Sequence, residues 1–428
     1  MKHREYHYIT GPSGSRYDYK TIPIESEDTF DSDLLILAFP MSEMHHSGAI
    51  LSQFGFNPDT NYFYEQCREV ISCAEKHQNA KGEGKLSFQA YFHDFPNCVK
   101  DINDRAIVVV VLHPMPQQTG QSRGYWLVGY IHANIYDFKD EKGVHEGFYY
   151  NMLRISDRSE NGKKVYRRKK IFTLVFSVLH SLVDVYGVHF AYASMGKENQ
   201  AIVDALVLNS TKYQKHFERF PIRSNTIINR FFRKKSAYEK LVDITNDTEK
   251  LREMYQLMMQ QKASYVFQTY YSEEGFLKMI TSLKSFSKTS KVMMLPKADG
   301  SIDAACIAMN WGDYFSLTLE NPKGFFKMIA SLKLTDNILY PFCVCGSPQG
   351  VDILLRGISW WFSTQHKAHV MLANSYDGDL YAKSKNSIIF DEYMFFIITD
   401  RRDHFEKLKN DSKDAAGNVR YFIDNPIL

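Results

Sequence analysis

The sequence predicts an α+β (mixed α/β) fold, a mixed but mostly antiparallel sheet flanked by helices, built twice along one chain. Three observations carry this expectation. Strand-like segments come in consecutive pairs with no helix between them, which favours antiparallel neighbours. Each pair leads into a strand–helix–strand unit, which favours a parallel neighbour. The same order then restarts after a polar, basic stretch. The 428 residues suffice for two such units at roughly 100–200 residues each. With 30 Phe, 27 Tyr and 44% hydrophobic residues, large cores are available and disorder as the main state is excluded.

Leu34 to Phe39 reads as a strand and Asn61 to Glu75 as a helix. Ala106 to His113 (AIVVVVLH) is β-branched enough for a buried strand. The polar PMPQQTGQSRG reads as a hairpin loop into a longer strand, Tyr125 to Phe138. Phe148 to Ser156 is the next strand, and residues 157–166 are a loop with Asn161-Gly162 at its tip. Ile171, Val175, Val178, Leu179, Leu182 and Val185 recur at helical spacing over Arg168 to Tyr186. Gly187 stands where a helix C-terminal cap belongs. Val188 to Met195 reads as a strand and Glu198 to Leu208 as a helix.

The second half follows the basic run Asn229 to Lys235. Tyr238 to Thr245 reads as a strand, and Asn246 with Glu249 three residues on reads as a helix start. Ser272 opens another helix with Glu273 and Glu274 in its first turn, where the dipole favours them. Lys291 to Leu295 and Ile302 to Trp311 are strands joined by the turn-rich PKADGS. Ile338 to Cys345 is a strand entering Gly346-Ser-Pro-Gln-Gly350. Val351 to Ala368 is a helix, and His369 to Ala373 and Glu392 to Thr399 are strands. The expected division is a first unit over 1–225 with an N-terminal extension, a basic linker over 226–237 and a second unit over 238–428.

This order resembles the GNAT acyltransferase superfamily in tandem, over about 85–210 and again about 238–400. The resemblance implies a central strand whose backbone holds the pantetheine arm of acyl-CoA, and a helix-start loop that cradles the diphosphate. Leu153, Arg154 and Ile155 fall on the central strand, and Tyr166 to Phe172 on the loop and helix start. Asn199 falls on the family's Asn position after the next strand. Independently of the family, N–H groups at a helix N-terminus favour an anion, and Arg167, Arg168, Lys169 and Lys170 add four cations there. The chain departs from the family pattern in this half. Neither loop glycine is present, and Leu206 stands where the family has a Tyr. Tyr213 is then the candidate acid for the leaving thiolate. The second half keeps Gly346, Gln349 and Gly350 in its loop, but Asp352 in the first turn would repel a phosphate.

Acyl transfer to an amine needs a proton acceptor and oxyanion donors. Glu146 and His145, just before the central strand, are candidates for the first. The amides of Leu153 and Ile155 are candidates for the second. The resemblance therefore implies an acyltransferase that moves an acyl group from acyl-CoA, as co-substrate, to an amine of a small molecule or peptide. Two alternatives stay open. One is a Fem-like transferase using aminoacyl-tRNA, to which the basic runs at 167–170 and 230–235 would answer. The other is a non-catalytic binding protein.

Other chemistries find no support in the sequence. His45-His46 point apart, His3 and His7 lie at a polar terminus, and His366 with His369 lacks a third ligand, so no metal site is expected. The six cysteines form no zinc or disulfide spacing and read as core thiols of a reducing compartment. The longest purely apolar run, Ala106 to Leu112, is far below the roughly 18 residues of a membrane span. The polar N-terminus carries no signal-peptide core, so a cytoplasmic protein without a membrane partner is expected, as monomer or homodimer. A net charge of +3 is too small to argue for nucleic acid by itself, so no nucleic-acid partner is expected beyond the tRNA of the Fem-like alternative.

Overall fold

The computed structural model describes residues 4–24, 34–73, 87–92, 105–116, 122–140, 143–156, 159–160, 163–164, 168–188, 190–196, 204, 216–262, 269–320, 337–375, 387–399, 406 and 410. It opens with an antiparallel hairpin, β1 (Arg4–Ser13) and β2 (Arg16–Ile24), that the sequence reading missed. β2 is the outer edge of the sheet and mostly solvent-facing, so its apolar signal is weak. β3 (Leu35–Pro40), a 3-10 turn (Met41–His46), α1 (Ser47–Ser52) and α2 (Thr60–Cys73) follow. After β4 (Ser87–Phe92) comes β5 (Ala106–Pro114), buried almost throughout because both its faces are covered. β6 (Tyr125–Asp140) and β7 (Gly143–Ile155) form a hairpin longer than expected. His145 and Glu146 therefore lie within a strand, where a preceding loop was expected. β8 (Ser159–Glu160) and β9 (Lys163–Lys164) pair across Asn161-Gly162. α3 (Arg168–Tyr186) ends at Gly187, whose φ of 62° is the left-handed stop that glycine accepts. β10 (Phe190–Gly196) follows. The helix expected over 198–208 lies outside the described residues except for Asp204, which is helical.

β11 (His216–Ile228) leads into two single turns, α4 (Asn229–Phe232) and α5 (Lys235–Tyr238). The strand expected over 238–245 shrinks to β12 (Val242–Asp243). Tyr238 instead ends a helical turn and Leu241 packs inward. α6 (Thr248–Lys262) is capped by Asp247, whose Oδ1 accepts the Lys250 amide at 3.0 Å, and not by Asn246, which takes the Lys284 ammonium. β13 (Thr269–Tyr270) precedes α7 (Glu273–Phe286), which Ser272 caps as expected. The remaining elements are β14 (Lys291–Pro296), β15 (Ile302–Asn310), a 3-10 turn (Trp311–Asp313) and β16 (Phe315–Glu320). Then come β17 (Ile338–Gly346), α8 (Pro348–Gln365), β18 (Val370–Ser375) and β19 (Ser387–Thr399).

One mixed sheet runs through both halves in the order β12-β14-β15-β17-β18-β11-β19-β10-β7-β6-β5-β3-β1-β2. The halves exchange their last strands. β11, from the first half, pairs antiparallel with β18 of the second, and β19, from the second, pairs antiparallel with β10 of the first. β11 and β19 lie side by side at the centre, from His216↔Thr399 to Ile227↔Ser387. The 226–237 stretch thus contains the end of β11, α4 and most of α5. β4 and β16 make a further antiparallel pair between the halves.

The core has three parts, set by which sheet face each helix covers. α3 buries Leu174, Val175, Val178, Leu179 and Leu182 on one face of the first half. Gly129 lies beneath it, and a Cβ there would come within 3.0 Å of Ile171. α8 does the same in the second half through Leu354, Leu355, Ile358 and Phe362, against Ala304, Ala308 and Met371. On the opposite face, α1, α2, α6 and α7 share one cluster that runs through both halves. Each fully buried large apolar side chain there contributes about 1.5–3 kcal/mol.

Candidate functional site

The sheet opens at two equivalent places. β7 and β10 are parallel neighbours, but they pair only from Gly147↔Phe190 to Tyr149↔Tyr192. Past Tyr149, no strand among the described residues pairs with that side of β7. Its outward backbone groups are left for another partner, because N–H and C=O groups inside a sheet require one. The strand also bulges there. His132 of β6 faces Asn151, whereas Tyr130 faces Arg154, so β7 carries one extra residue opposite Ile131. The second half repeats the device. β17 and β18 pair only at Ile338↔Val370 and Leu339↔Met371, and β17 bulges at Cys343, whose φ is 51°. Pro341 lies in this open stretch, where a missing N–H costs no ladder bond to β18.

Each opening ends at a helix N-terminus, and the two termini differ. In the second half the loop is sealed by its own groups. The Gln261 amide side chain donates to the Gly346 carbonyl and accepts the Gly346 N–H, both at 2.9 Å. The Ser347 N–H goes to the Asp303 carbonyl, and the Gly350 N–H goes to Ser347 Oγ. A Cβ on Gly350 would lie 2.5 Å from Asp303 Oδ2, so a carboxylate already sits against this turn. Asp352 pairs with Arg356 at 2.8 Å one turn further on, and Gln349 is exposed. Gly346, Gln349 and Gly350 are thus placed together, with both glycine amides engaged. In the first half, Arg168, Lys169 and Lys170 are the first three residues of α3, at the C-terminal end of β7. Arg167, Asn199 and Tyr213 lie outside the described residues.

Leu153 and Ile155 stand on the open segment of β7. Leu153 is partly buried against the α3-side core, and its carbonyl accepts from Arg154 Nη1 at 3.0 Å. Ile155 is buried on the same side. His145 and Glu146 are elsewhere. Glu146 precedes the first β7–β10 pair, about 20 Å along the strand from the bulge at 3.3 Å per residue. Its carboxylate is exposed and ion-paired with Arg105, which also holds Asp137 at 2.8 Å. It faces the α3 side of the sheet, with its cross-strand partner Asp137.

The sequence reading missed a row of polar side chains on the other face. Tyr130, His132, Asn134 and Tyr136 alternate along β6 with Ile131, Ala133 and Ile135, and all are buried. Arg154 and Tyr149 are their cross-strand partners on β7, opposite Tyr130 and Asn134. His132 is fully buried, its Nδ1 3.3 Å from the Tyr130 hydroxyl. Its Nε2 has no hydrogen-bond partner among the described residues. Burial, helped by the Arg154 charge, pushes the imidazole down to about 3, so it is neutral at physiological pH. The signal was available: in YIHANIY every second residue is polar or aromatic, so a strand through it carries a polar face.

No protein-family model matches the chain, and no curated protein matches it either. Solved structures do. N-myristoyltransferase of Saccharomyces cerevisiae with bound myristoyl-CoA superposes with a TM-score of 0.54 at 11% identity, over 88% of this chain and 81% of that one. The same enzyme with myristoyl-CoA and inhibitors gives 0.52 at 10% identity, over 88% and 82%. At such identities the likeness establishes the fold: two GNAT-like units in tandem. Among the described residues there is no cluster that could hold a metal ion.

Proposed function

We propose that the protein is an N-acyltransferase that moves an acyl group from acyl-CoA to an amine, with the thioester held at the opening of the first half. The observation that carries this reading is the parallel pair β7–β10, which separates past Tyr149 beside a bulge and ends at a basic helix start. The open edge of β7 offers backbone groups to the pantetheine amides. Arg167, Arg168, Lys169 and Lys170 with the α3 N-terminus suit the diphosphate. The second half's loop has a carboxylate in that place, which favours the first half as the donor site. Support for acyl-CoA as donor comes from the fold shared with an enzyme that binds myristoyl-CoA.

In this reaction the amine lone pair attacks the thioester carbonyl carbon. The carbon–sulfur bond breaks, an amide forms, and the thiolate takes up a proton as the amine loses one. The amides of Leu153 or Ile155 would face the developing oxyanion. His132 lies one strand from the opening, on the face away from Glu146. Fully buried and neutral, it can accept a hydrogen bond from the incoming amine only where substrate binding opens this face, and this reading assigns it that role ahead of His145 and Glu146. The test is thiol release from acyl-CoA in the presence of a panel of amines and N-terminal peptides. Release that depends on the acceptor, with KM for acyl-CoA raised about tenfold by Arg167→Ala with Arg168→Ala, is the expected result. An unchanged KM would remove the diphosphate assignment.

A further inference from the structure

Phe231 is 70% exposed, while Phe232 beside it is only 3% exposed. The turn that separates them is firmly held. The Asn229 side chain, fully buried, donates to the Ala368 carbonyl and its backbone N–H to the His369 carbonyl, both at 2.8 Å. The Arg356 guanidinium lies 4.6 Å from the centre of the Phe232 ring, and the Lys234 N–H donates to the Arg356 carbonyl. Phe231 is therefore displayed by a fixed backbone, on a surface where an apolar ring gains nothing from water.

The surroundings are cationic. Arg233, Lys234, Lys235 and Lys367 are all exposed. Arg233 reaches Ser363 at 3.0 Å, and its charge helps burial to keep His369 below the ordinary imidazole range. Lys367 directly precedes the carbonyl that holds Asn229, so it belongs to the same patch. The neighbouring carboxylates are occupied: Glu239 pairs with Lys235 and Asp352 with Arg356. Lys234 and Lys367 have no acidic partner among the described residues.

We propose that this face docks the protein on an anionic lipid bilayer, with Phe231 entering the interface and the surrounding lysines on the headgroups. An exposed apolar ring beside a cluster of cations supplies the two contributions that bind a protein surface to an anionic bilayer, apolar burial and headgroup attraction. Each lysine near an acidic leaflet adds favourable energy that salt removes. A single-stranded nucleic acid would need successive aromatic platforms along a groove, and the second aromatic, Phe232, is buried. No described helix is long and apolar enough to cross a membrane, and this mode of docking needs none. It is also independent of the acyl-transfer reading.

The test is sedimentation of the full chain with vesicles of phosphatidylcholine, alone or mixed with phosphatidylserine. Binding to the mixed vesicles, weakened by salt, is expected. Phe231→Ala should reduce it about tenfold, and Lys234→Glu with Lys235→Glu about tenfold or more. Val144→Ala, which alters an exposed valine on β7, should leave it unchanged. All these side chains are surface groups, and unchanged melting temperatures would confirm intact folds. Failure to bind either vesicle, or binding indifferent to Phe231 and the lysines, overturns the proposal. So does retention of tRNA by this patch without vesicle binding.

Discussion

At the scale of single residues, the most informative group is His132. Free histidine in an unfolded chain titrates near 6.5, whereas this one is held down to about 3 by burial and by Arg154. Between those values the unfolded chain takes up a proton that the folded one refuses. The stability that neutral His132 confers is complete above pH 6.5 and is lost progressively as pH falls towards 3. From pH 8 to pH 5 the loss from this residue is about 2 kcal/mol. Urea unfolding of His132→Gln should show a correspondingly smaller loss over that range than the wild type; equal losses would mean that the imidazole is hydrated. The sequence made the strand legible but not the site. Tyr130, His132, Asn134 and Tyr136 are ordinary residues for a strand, and only their burial beside the bulge makes them a candidate constellation. The pair His145–Glu146 is the converse case. It is conspicuous in the sequence, and in the fold Glu146 is paired with Arg105 on the opposite face.

At the scale of elements, the two strand-to-helix turns differ, and their difference can be measured. Gly346 has φ 130°, and a Cβ there would overlap the Asp303 carbonyl and Ala304. Backbone cannot move aside, so Gly346→Ala should cost about 3 kcal/mol. A Cβ on Gly350 meets instead the Asp303 carboxylate and Ser347 Oγ, which rotate, so Gly350→Ala should cost much less. Ser347→Ala removes the cap on the Gly350 N–H and should cost about 1 kcal/mol. Chemical denaturation of the three variants checks the order; equal costs at the two glycines would contradict the packing described here. Long apolar or strictly periodic elements were legible: α3, α8, β5 and the β14–β15 hairpin fall within a few residues of their expected spans. β2 was missed, and β12 was expected as a longer strand over 238–245. β2 is mostly exposed, and β12 is two residues long, so neither leaves a strong periodic mark. β11 and β19 pair across the chain's midpoint, a property no local pattern encodes.

At the scale of the whole molecule, the strand exchange makes each half depend on the other. Without β19, β10 keeps only its short pairing with β7, and without β11, β18 keeps only its two-residue pairing with β17. The shared core on the α2–α6 face adds to this dependence. Residues 1–225 and 238–428 expressed apart should each fail to give a cooperative unfolding transition, while the full chain unfolds in one; two independently folding halves would contradict the exchange. In the proposed function the opening of the first half takes acyl-CoA. Calorimetric titration of the full chain with myristoyl-CoA, acetyl-CoA and CoA tests it most directly, beside Arg168→Ala with Lys169→Ala and Lys170→Ala. At 100 times the dissociation constant a bound ligand stabilises the fold by about 2.7 kcal/mol, so a thermal shift should accompany the heat. One site per chain is expected, weakened about tenfold or more by the triple substitution. A chain that binds none of the three, or that binds them equally well without those cations, would contradict this.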